Sequence, residues 1–409
     1  MSAFSLAWRY LHARRLLNLL TALTVALGVT LVVASAALSG AGRDSVGRTT
    51  GGYQLLVAAK GSPLQAVLSS LFFIDEPTGL VPASVWEKLS VDAGVARSVP
   101  LNMGDSHRGF PVVGTTPGYF DLIRDLSGQT PRAEPPRGFE RPFEAVLGAV
   151  VARQLGLAVG DQFNAAHGMA ELPADLARTH DVSPYTVVAV LQPTGLPMDR
   201  VIFTTLETTW LLHGLSPPDA AERGHMPAPG VTALLLQGHT YADMQRLAAL
   251  AGQSDGVQAI FPARIVTRLL GYLNTGEQLL TALCWLLVAA AGMAVAISML
   301  AATIERRRQI ATLRALGASP GVVARVVLYE AGLVALTGAC LGVVAGRLLA
   351  HGLAWIMASR TGLLLEPASM SSGDVTAVLC VVAIGLTASA LPAWSACRQD
   401  IASHLVPSP

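Results

Sequence analysis

Charged side chains are scarce in this sequence. They account for 13% of its 409 residues, whereas hydrophobic residues account for 52%. Such a composition is too apolar for an ordinary soluble protein. An excess of positive charge is also missing, because the formal net charge is only +1. A nucleic-acid partner would need a clustered basic surface, so we predict that this chain binds no nucleic acid.

Lysine is nearly absent, with Lys60 and Lys88 as its two occurrences. A phosphate-binding P-loop needs a glycine before its lysine and a serine or threonine after it. Lys60 follows Ala59 and Lys88 follows Glu87, so neither lysine fits. A G-x-S-x-G nucleophile motif is missing as well. We therefore expect no catalytic residue and no ATP or other cofactor in this chain, and we do not expect it to be an enzyme.

Residues that commonly bind metals or form disulfides show no local motif. Three of the four cysteines lie within apolar runs and the last ends one: Cys284, Cys340, Cys380 and Cys397. The long polar region holds six histidines, none in a close pair such as H-E-x-x-H: His107, His167, His180, His213, His225 and His239. We predict solvated loop histidines and no metal site, with a metal or haem cargo as the exception.

Four apolar runs are each long enough to cross a bilayer about 30 Å thick. They cover residues 16–38, 278–304, 326–346 and 375–397. Residues 34–36 of the first run read Ala-Ser-Ala and resemble a signal-peptide cleavage site. The run is longer than the usual hydrophobic region of about 7–15 residues, which favours an uncleaved anchor.

The third run carries two features of interest. Glu330 is an ionisable residue inside a predicted span, about one turn past Arg325, with which it could pair. Gly338, Gly342 and Gly346 recur every four residues, so they share one helix face that lets another helix approach closely. That helix belongs either to this chain or to a second copy, and the spacing leaves both alternatives open.

Residues 39–277 form a different kind of sequence, with charges of both signs and many proline and glycine residues. Short strand patterns alternate with short helix patterns, which predicts an α+β domain, expected as two subdomains. The predicted fold is an integral membrane protein. Four transmembrane α-helices, arranged as one plus three, flank a large α+β extracytoplasmic domain inserted between helices 1 and 2.

Arginine placement predicts the orientation. Residues 1–15, 305–325 and 398–409 together carry nine arginines, whereas residues 347–374 carry two, balanced by two acidic residues. By the positive-inside rule both termini are cytoplasmic, 398–409 is a cytoplasmic tail, and 347–374 is a short extracytoplasmic loop. Residues 1–15 are either an amphipathic helix on the inner membrane surface, whose arginines reach lipid phosphates, or a simple basic flank.

A charged segment, residues 305–318, lies between the second and third spans. Its residues favour helix, and Gly317 stands where a helix C-terminal cap would. Ile310, Leu313 and Leu316 recur every third residue, which would keep them on roughly one side. The segment is either a basic loop that fixes topology or a docking helix on which a cytoplasmic partner pushes.

The charged segment resembles the cytoplasmic coupling segment of FtsX/MacB-type ABC transporter permeases, where the pattern ER-x-x-EI-x-x-LRALGA is usual. The matching residues are Glu305, Arg306, Ile310, Leu313, Arg314, Ala315, Leu316, Gly317 and Ala318. Gln309 stands where a glutamate is usual. Residues 152–161, ARQLGLAVGD, resemble the LGL-x-VGD turn of the extracytoplasmic domain in the same family.

This resemblance implies a bacterial inner-membrane permease that binds a separate cytoplasmic ABC ATPase, which supplies the ATP site. The ATPase-coupling residues would be Glu305, Arg306, Arg307, Ile310, Leu313, Arg314, Leu316 and Gly317. The resemblance also implies pairing with a second copy or a related permease, with a periplasmic adaptor as a further candidate partner. ATPase closure would change the shape of the outer domain and export or extract a lipophilic or peptide-like cargo.

Two alternatives remain at this stage. One is a signalling subunit that regulates a cell-envelope hydrolase, and the other is a membrane-anchored receptor without transport. The sequence carries no motif that identifies a cargo.

Overall fold

The computed structural model describes residues 3–50, 54–127, 131–168, 184–213, 229–361, 367 and 370–397. The chain forms two compact units. The helical unit comprises Met1–Ala41, Leu273–Trp355 and Glu366–Pro409, and the inserted unit comprises Gly42–Tyr272 and Ile356–Leu365. The predicted cytoplasmic tail, residues 398–409, lies outside the described residues.

The four apolar runs predicted from the sequence all form helices. The candidate spans are Arg15–Gly47, Pro262–Glu305, Pro320–Met357 and Ser372–Ser395. They lie in helices that cover Arg15–Thr50, Pro262–Glu305 and Pro320–Thr361, and in the consecutive helices Ser372–Ala388 and Ala390–Cys397. We call these the first to fourth apolar helices. A separate N-terminal helix covers Ala3–Ala13.

Part of the predicted short outer loop, residues 347–374, is helical instead. The third apolar helix continues to Thr361, because residues 348–357 are apolar apart from His351 and contain no proline. Arg347 then pairs with Asp374 at the start of the fourth apolar helix, its Nε donating to Oδ2 over 3.0 Å. Both side chains are nearly buried. The ion pair therefore fastens the third helix to the fourth.

Small and β-branched side chains form the core of the helical unit. Valines and alanines from all four apolar helices meet there: Val25, Val29, Val33, Val288, Ala291, Val295, Ala331, Val334, Ala339 and Val381. Side chains of this size let helices pack at short distances, which is how apolar helices associate in lipid.

The inserted unit is built on one mixed sheet of eleven strands. The strands are β1 Leu55–Ala59, β2 Val95–His107, β3 Phe110–Thr115, β4 Ala133–Glu134, β5 Glu144–Leu147, β6 Gln162–Phe163, β7 Ala166–His167, β8 Tyr185–Leu191, β9 Ile202–Thr205, β10 Ala233–Gly238 and β11 Val257–Ile260. Their order is β11-β1-β10-β2-β3-β9-β5-β8-β4, with β6 beside β8 and β7 beside β2. The predicted α+β class is confirmed, but the expected two subdomains are wrong, since β9 joins β3 to β5 in one sheet.

Helices cover both faces of this sheet. They are Pro63–Val67 with the π-helical turn Leu68–Phe72, then Ala83–Ser90, Gly118–Ser127, Ala149–Leu155, Leu206–Leu212 and Tyr241–Gly252. Strand side chains alternate between the two faces. In β1, Leu56 and Ala58 join one buried cluster, while Leu55 and Val57 join another. The strand is therefore apolar at every position, as expected of a strand buried on both faces.

Candidate functional site

The charged segment forms the short helix Arg307–Ala315, which ends in a Schellman motif. The Gly317 N–H donates to the Arg314 carbonyl and the Ala318 N–H donates to the Leu313 carbonyl, both over 3.0 Å. Gly317 has a φ of +97°, a conformation that glycine adopts without steric cost. The predicted helix and its glycine cap are confirmed.

The three apolar residues of the segment do not share one face. Ile310 is buried against Val323 of the third apolar helix, Leu313 is half-buried, and Leu316 is 80% exposed. Residues three apart are displaced by about 60° around a helix, so three of them span about 120°. One side of the helix therefore packs on this chain and leaves Leu316 at the surface.

Arg306 is held inside the chain by two neighbours. Its guanidinium donates to both carboxylate oxygens of Glu330, with Nη1–Oε2 at 3.0 Å and Nη2–Oε1 at 2.8 Å. It also lies over the Tyr10 ring, 4.3 Å from the ring centre. A two-pronged ion pair fixes both distance and orientation, and the aromatic face adds a cation–π contact. Arg306 thus joins the N-terminal helix to the third apolar helix.

The expected partner of Glu330 is wrong. Arg325 is exposed, and its Nε donates to the Gly321 carbonyl one turn earlier. Glu330 is only 2% exposed and faces Arg306 instead. A carboxylate at that depth requires a close cation, because water cannot solvate it. The charged segment supplies this cation.

The N-terminal helix makes contacts that sequence patterns missed. Arg14, expected to reach lipid phosphates, forms an ion pair with Glu305. Tyr10 supplies the ring beneath Arg306. Arg14 and Glu305 are separated by 291 residues, so no spacing rule could pair them. At the other end of the segment, Arg314 donates to the Cys397 carbonyl over 3.3 Å.

A cavity of about 310 Å³ lies between the N-terminal helix, the charged segment and the adjoining ends of the second and third apolar helices. Leu6, Met299, Leu313 and Val327 supply apolar lining, and Arg306 with Glu330 forms its charged wall. Two ion pairs therefore hold the N-terminal end of the segment, Arg306 with Glu330 and Glu305 with Arg14, and the cavity lies beside them. Such an arrangement leaves space for the short helix to shift.

The predicted coupling residues divide into an inner and an outer group. Ile310 is buried, and Arg306, Leu313 and Arg314 are half-buried. The exposed members are Glu305, Arg307, Leu316 and Gly317. A partner would meet the outer group, while the inner group connects that surface to the rest of the helical unit.

The glycine face of the third apolar helix is covered by the first apolar helix of the same chain. A Cβ atom on Gly338, Gly342 or Gly346 would lie 2.6 to 2.9 Å from a carbonyl oxygen of that helix. The Thr30 hydroxyl also donates to the Gly342 carbonyl over 3.2 Å. Of the two alternatives left open by the sequence, the structure shows packing within the chain.

Comparison with protein families matches two adjoining parts of the chain. Residues 18–261 match the MacB-like periplasmic core domain, and residues 281–401 match the FtsX-like permease C-terminal domain. No curated protein matches the chain.

Solved structures give weaker similarities. The extracellular domain of the noncanonic ABC-type transporter YknZ from Gram-positive bacteria is 11% identical, with a TM-score of 0.31, over 51% of this chain and 99% of that one. The periplasmic region of MacB from Actinobacillus actinomycetemcomitans is 10% identical, with a TM-score of 0.33, over 55% and 95%.

The first family match alone covers more than half of the chain, and the second begins at the second apolar helix, as expected of a permease with an inserted α+β domain. This chain belongs to the family of FtsX/MacB-type ABC transporter permeases.

Proposed function

We propose that this chain is the subunit that couples ATP hydrolysis, performed by a separate cytoplasmic ABC ATPase, to a conformational change of its extracytoplasmic α+β domain. The change would export or extract a lipophilic or peptide-like cargo. The chain itself would not be an enzyme. Both termini would lie in the cytoplasm of a bacterial cell, beneath its inner membrane, and two permease chains would work as a pair, with a periplasmic adaptor as a further candidate partner.

One observation carries this proposal. The charged segment presents Arg307 and Leu316 outward, while Arg306 on the same segment is fixed to Glu330 of the third apolar helix. A partner that pushes on the outer residues would therefore displace a rigid ion pair rather than a free loop. This supports a docking role over the alternative in which the segment only fixes topology.

The test is retention of the ATPase by a Leu316→Asp permease. Leu316 is 80% exposed, so the substitution should not disturb this chain. In a complex, the carboxylate would be buried against an apolar groove without a partner, which costs a few kcal/mol. We expect co-purified ATPase to fall at least about tenfold. Leu313→Asp is a poorer test, because Leu313 lines this chain's own cavity.

Leu80→Asp is the matched control, because Leu80 is 56% exposed and lies in the inserted unit. It should retain a cognate ABC ATPase at the wild-type level. Equal retention by both variants would reject docking at Leu316. A wild-type permease that retains no ATPase would reject the coupling function as a whole and favour a receptor.

A further inference from the structure

Three residues far apart in the sequence meet on the inserted unit. The Asp105 carboxylate accepts from His167 Nδ1 at 3.2 Å and lies 3.4 Å from His213 Nε2 through its other oxygen. The two imidazole rings are 5.3 Å apart, edge to face. Nitrogen or oxygen atoms from the three side chains all lie within 4.8 Å of one another.

These distances suit a metal ion of tetrahedral preference. Ligand atoms about 2.0–2.2 Å from such an ion are separated from each other by about 3.3–3.6 Å. The two carboxylate–imidazole distances are already 3.2 and 3.4 Å. The two distances involve different carboxylate oxygens, so the three ligand atoms, which lie within 4.8 Å of one another, would have to draw closer around one ion.

The scaffold holds two of the ligands in register. Asp105 and His167 are cross-strand partners in β2 and β7. The Ser106 hydroxyl donates to the Gly168 carbonyl over 2.6 Å, and the Gly168 N–H donates to the Gly104 carbonyl over 2.8 Å. Both bonds involve Gly168, so they fasten the C-terminal end of the short β7 pairing. The two side chains are therefore positioned before any ion arrives.

The third ligand is positioned by a helix packed on the same strand. His213 follows the helix Leu206–Leu212, and its N–H donates to the Trp210 carbonyl. Asn102 of β2 donates to the Thr209 hydroxyl over 2.9 Å, which ties this helix to the strand that carries Asp105. Ligands supported by packed elements hold their geometry better than ligands on free loops.

A buried hydroxyl nearby gives a second, independent indication. Tyr185 of β8 is fully buried, and no group in the described part of the chain hydrogen-bonds its hydroxyl. Burial raises the pKa of Tyr185, and the charge of Asp105 raises it further. Buried hydroxyls without a partner are rare and commonly mark an ion or water.

We propose that Asp105, His167 and His213 form a binding site for one divalent transition-metal ion, for which zinc is the best fit. Two imidazoles and one carboxylate are preferred zinc ligands, and three protein ligands leave a fourth position open. The His167 side chain is 61% exposed, so an ion can reach the site from solvent.

The site goes beyond the proposed coupling function and is independent of it. Bound zinc would link β2, β7 and the end of the helix Leu206–Leu212, which are separate parts of the outer domain. It would cross-link these elements, or it would bind a ligand from solution if the open coordination position accepts one.

The experiment uses the full-length permease in detergent without any ATPase, purified metal-free with a tag that lacks histidine. Titration with zinc chloride by calorimetry should give one saturable site per chain. His167→Ala should weaken zinc binding at least about tenfold, because a direct ligand is lost. Since His167 is largely exposed, this variant should fold normally, as checked by its circular dichroism. His239→Ala, an exposed histidine elsewhere in the inserted unit, is the matched control and should bind zinc like the wild type.

A second measurement reports the ligands directly. X-ray absorption of the zinc-loaded chain should show two histidine nitrogens at about 2.0–2.1 Å, and one fewer in His167→Ala. Absence of saturable one-to-one binding, or equal affinity in the two histidine variants, would overturn the proposal and leave an ion-pair cluster only. Because no ATPase is present, neither result depends on the coupling function.

Discussion

Glu330→Gln should destabilise the helical unit by about 3–5 kcal/mol, the typical cost of removing one partner of a buried ion pair. The Arg306 guanidinium would keep its charge and lose its carboxylate while its side chain is only 12% exposed. Arg306→Met should cost a similar amount, because it leaves the Glu330 carboxylate unpaired at 2% exposure. The measurement is the thermal unfolding midpoint of each detergent-solubilised variant.

The double variant Arg306→Met, Glu330→Leu distinguishes the cost of losing the ion pair from the cost of leaving one charge buried without a partner. Replacing both members of a buried pair with apolar residues is often nearly neutral, so the double variant should recover most of the loss. Arg325→Gln is the matched control and should have little effect, because Arg325 is exposed. If Arg325→Gln were as destabilising as Glu330→Gln, the pairing described above would be wrong.

Sequence reasoning could find Glu330 but could not find its partner. An ionisable residue in an apolar run is visible at once, and Arg325 was the nearest cation on the same helix. Arg306 is separated from Glu330 by 24 residues and reaches it only because the charged segment folds back onto the third apolar helix. That fold-back depends on how far each helix rotates about its axis, which residue spacing does not determine.

Gly342→Leu should prevent the first and third apolar helices from packing and lower stability by about 3 kcal/mol or more. A Cβ on Gly342 would lie 2.7 Å from the Ala26 carbonyl oxygen and 2.6 Å from Val29 Cβ. The first of these atoms is backbone, so a rotamer change cannot relieve the overlap. The helices would separate, and the hydrogen bond from Thr30 to the Gly342 carbonyl would be lost. Yield of monodisperse protein and its unfolding midpoint are the measurements.

Gly352→Leu is the control on the same helix, because it makes the same chemical change where a Cβ would meet nothing within 4 Å. It should behave like the wild type. Equal yields and midpoints for the two variants would show that the glycine face is not a tight contact. If Gly342→Leu instead impaired only the pairing of two permease chains, the result would favour the alternative in which the glycine face packs against a second copy.

Local patterns predicted much of this fold. The four apolar helices, the glycine cap at Gly317 and several inner strands follow from hydrophobic runs and period-two alternation. In the inserted unit, the apolar run Tyr185–Leu191 forms a strand, and Tyr241–Gly252 forms a helix that begins at a capping box. These elements depend on interactions between residues that are close in the sequence, and residue spacing describes such interactions.

Contacts between distant segments could not be predicted in the same way. Asp105 and His167 are 62 residues apart, so their meeting depends on β2 and β7 pairing in one sheet. The spacing also showed a glycine face without showing which helix covers it. The exposed side of the charged segment was only partly predicted, because burial of Ile310 depends on Val323 of the next helix.

The glycine groove also has a consequence for biosynthesis. Thr30 and Gly342 are separated by 312 residues. At a translation rate of about 5–20 residues per second, the first apolar helix waits roughly 15 to 60 s for the helix that covers it. During that time Val25, Val29 and Val33 face lipid, an insertion factor or another nascent chain. A ribosome that stalls before residue 338 would leave that valine ridge without the helix that covers it.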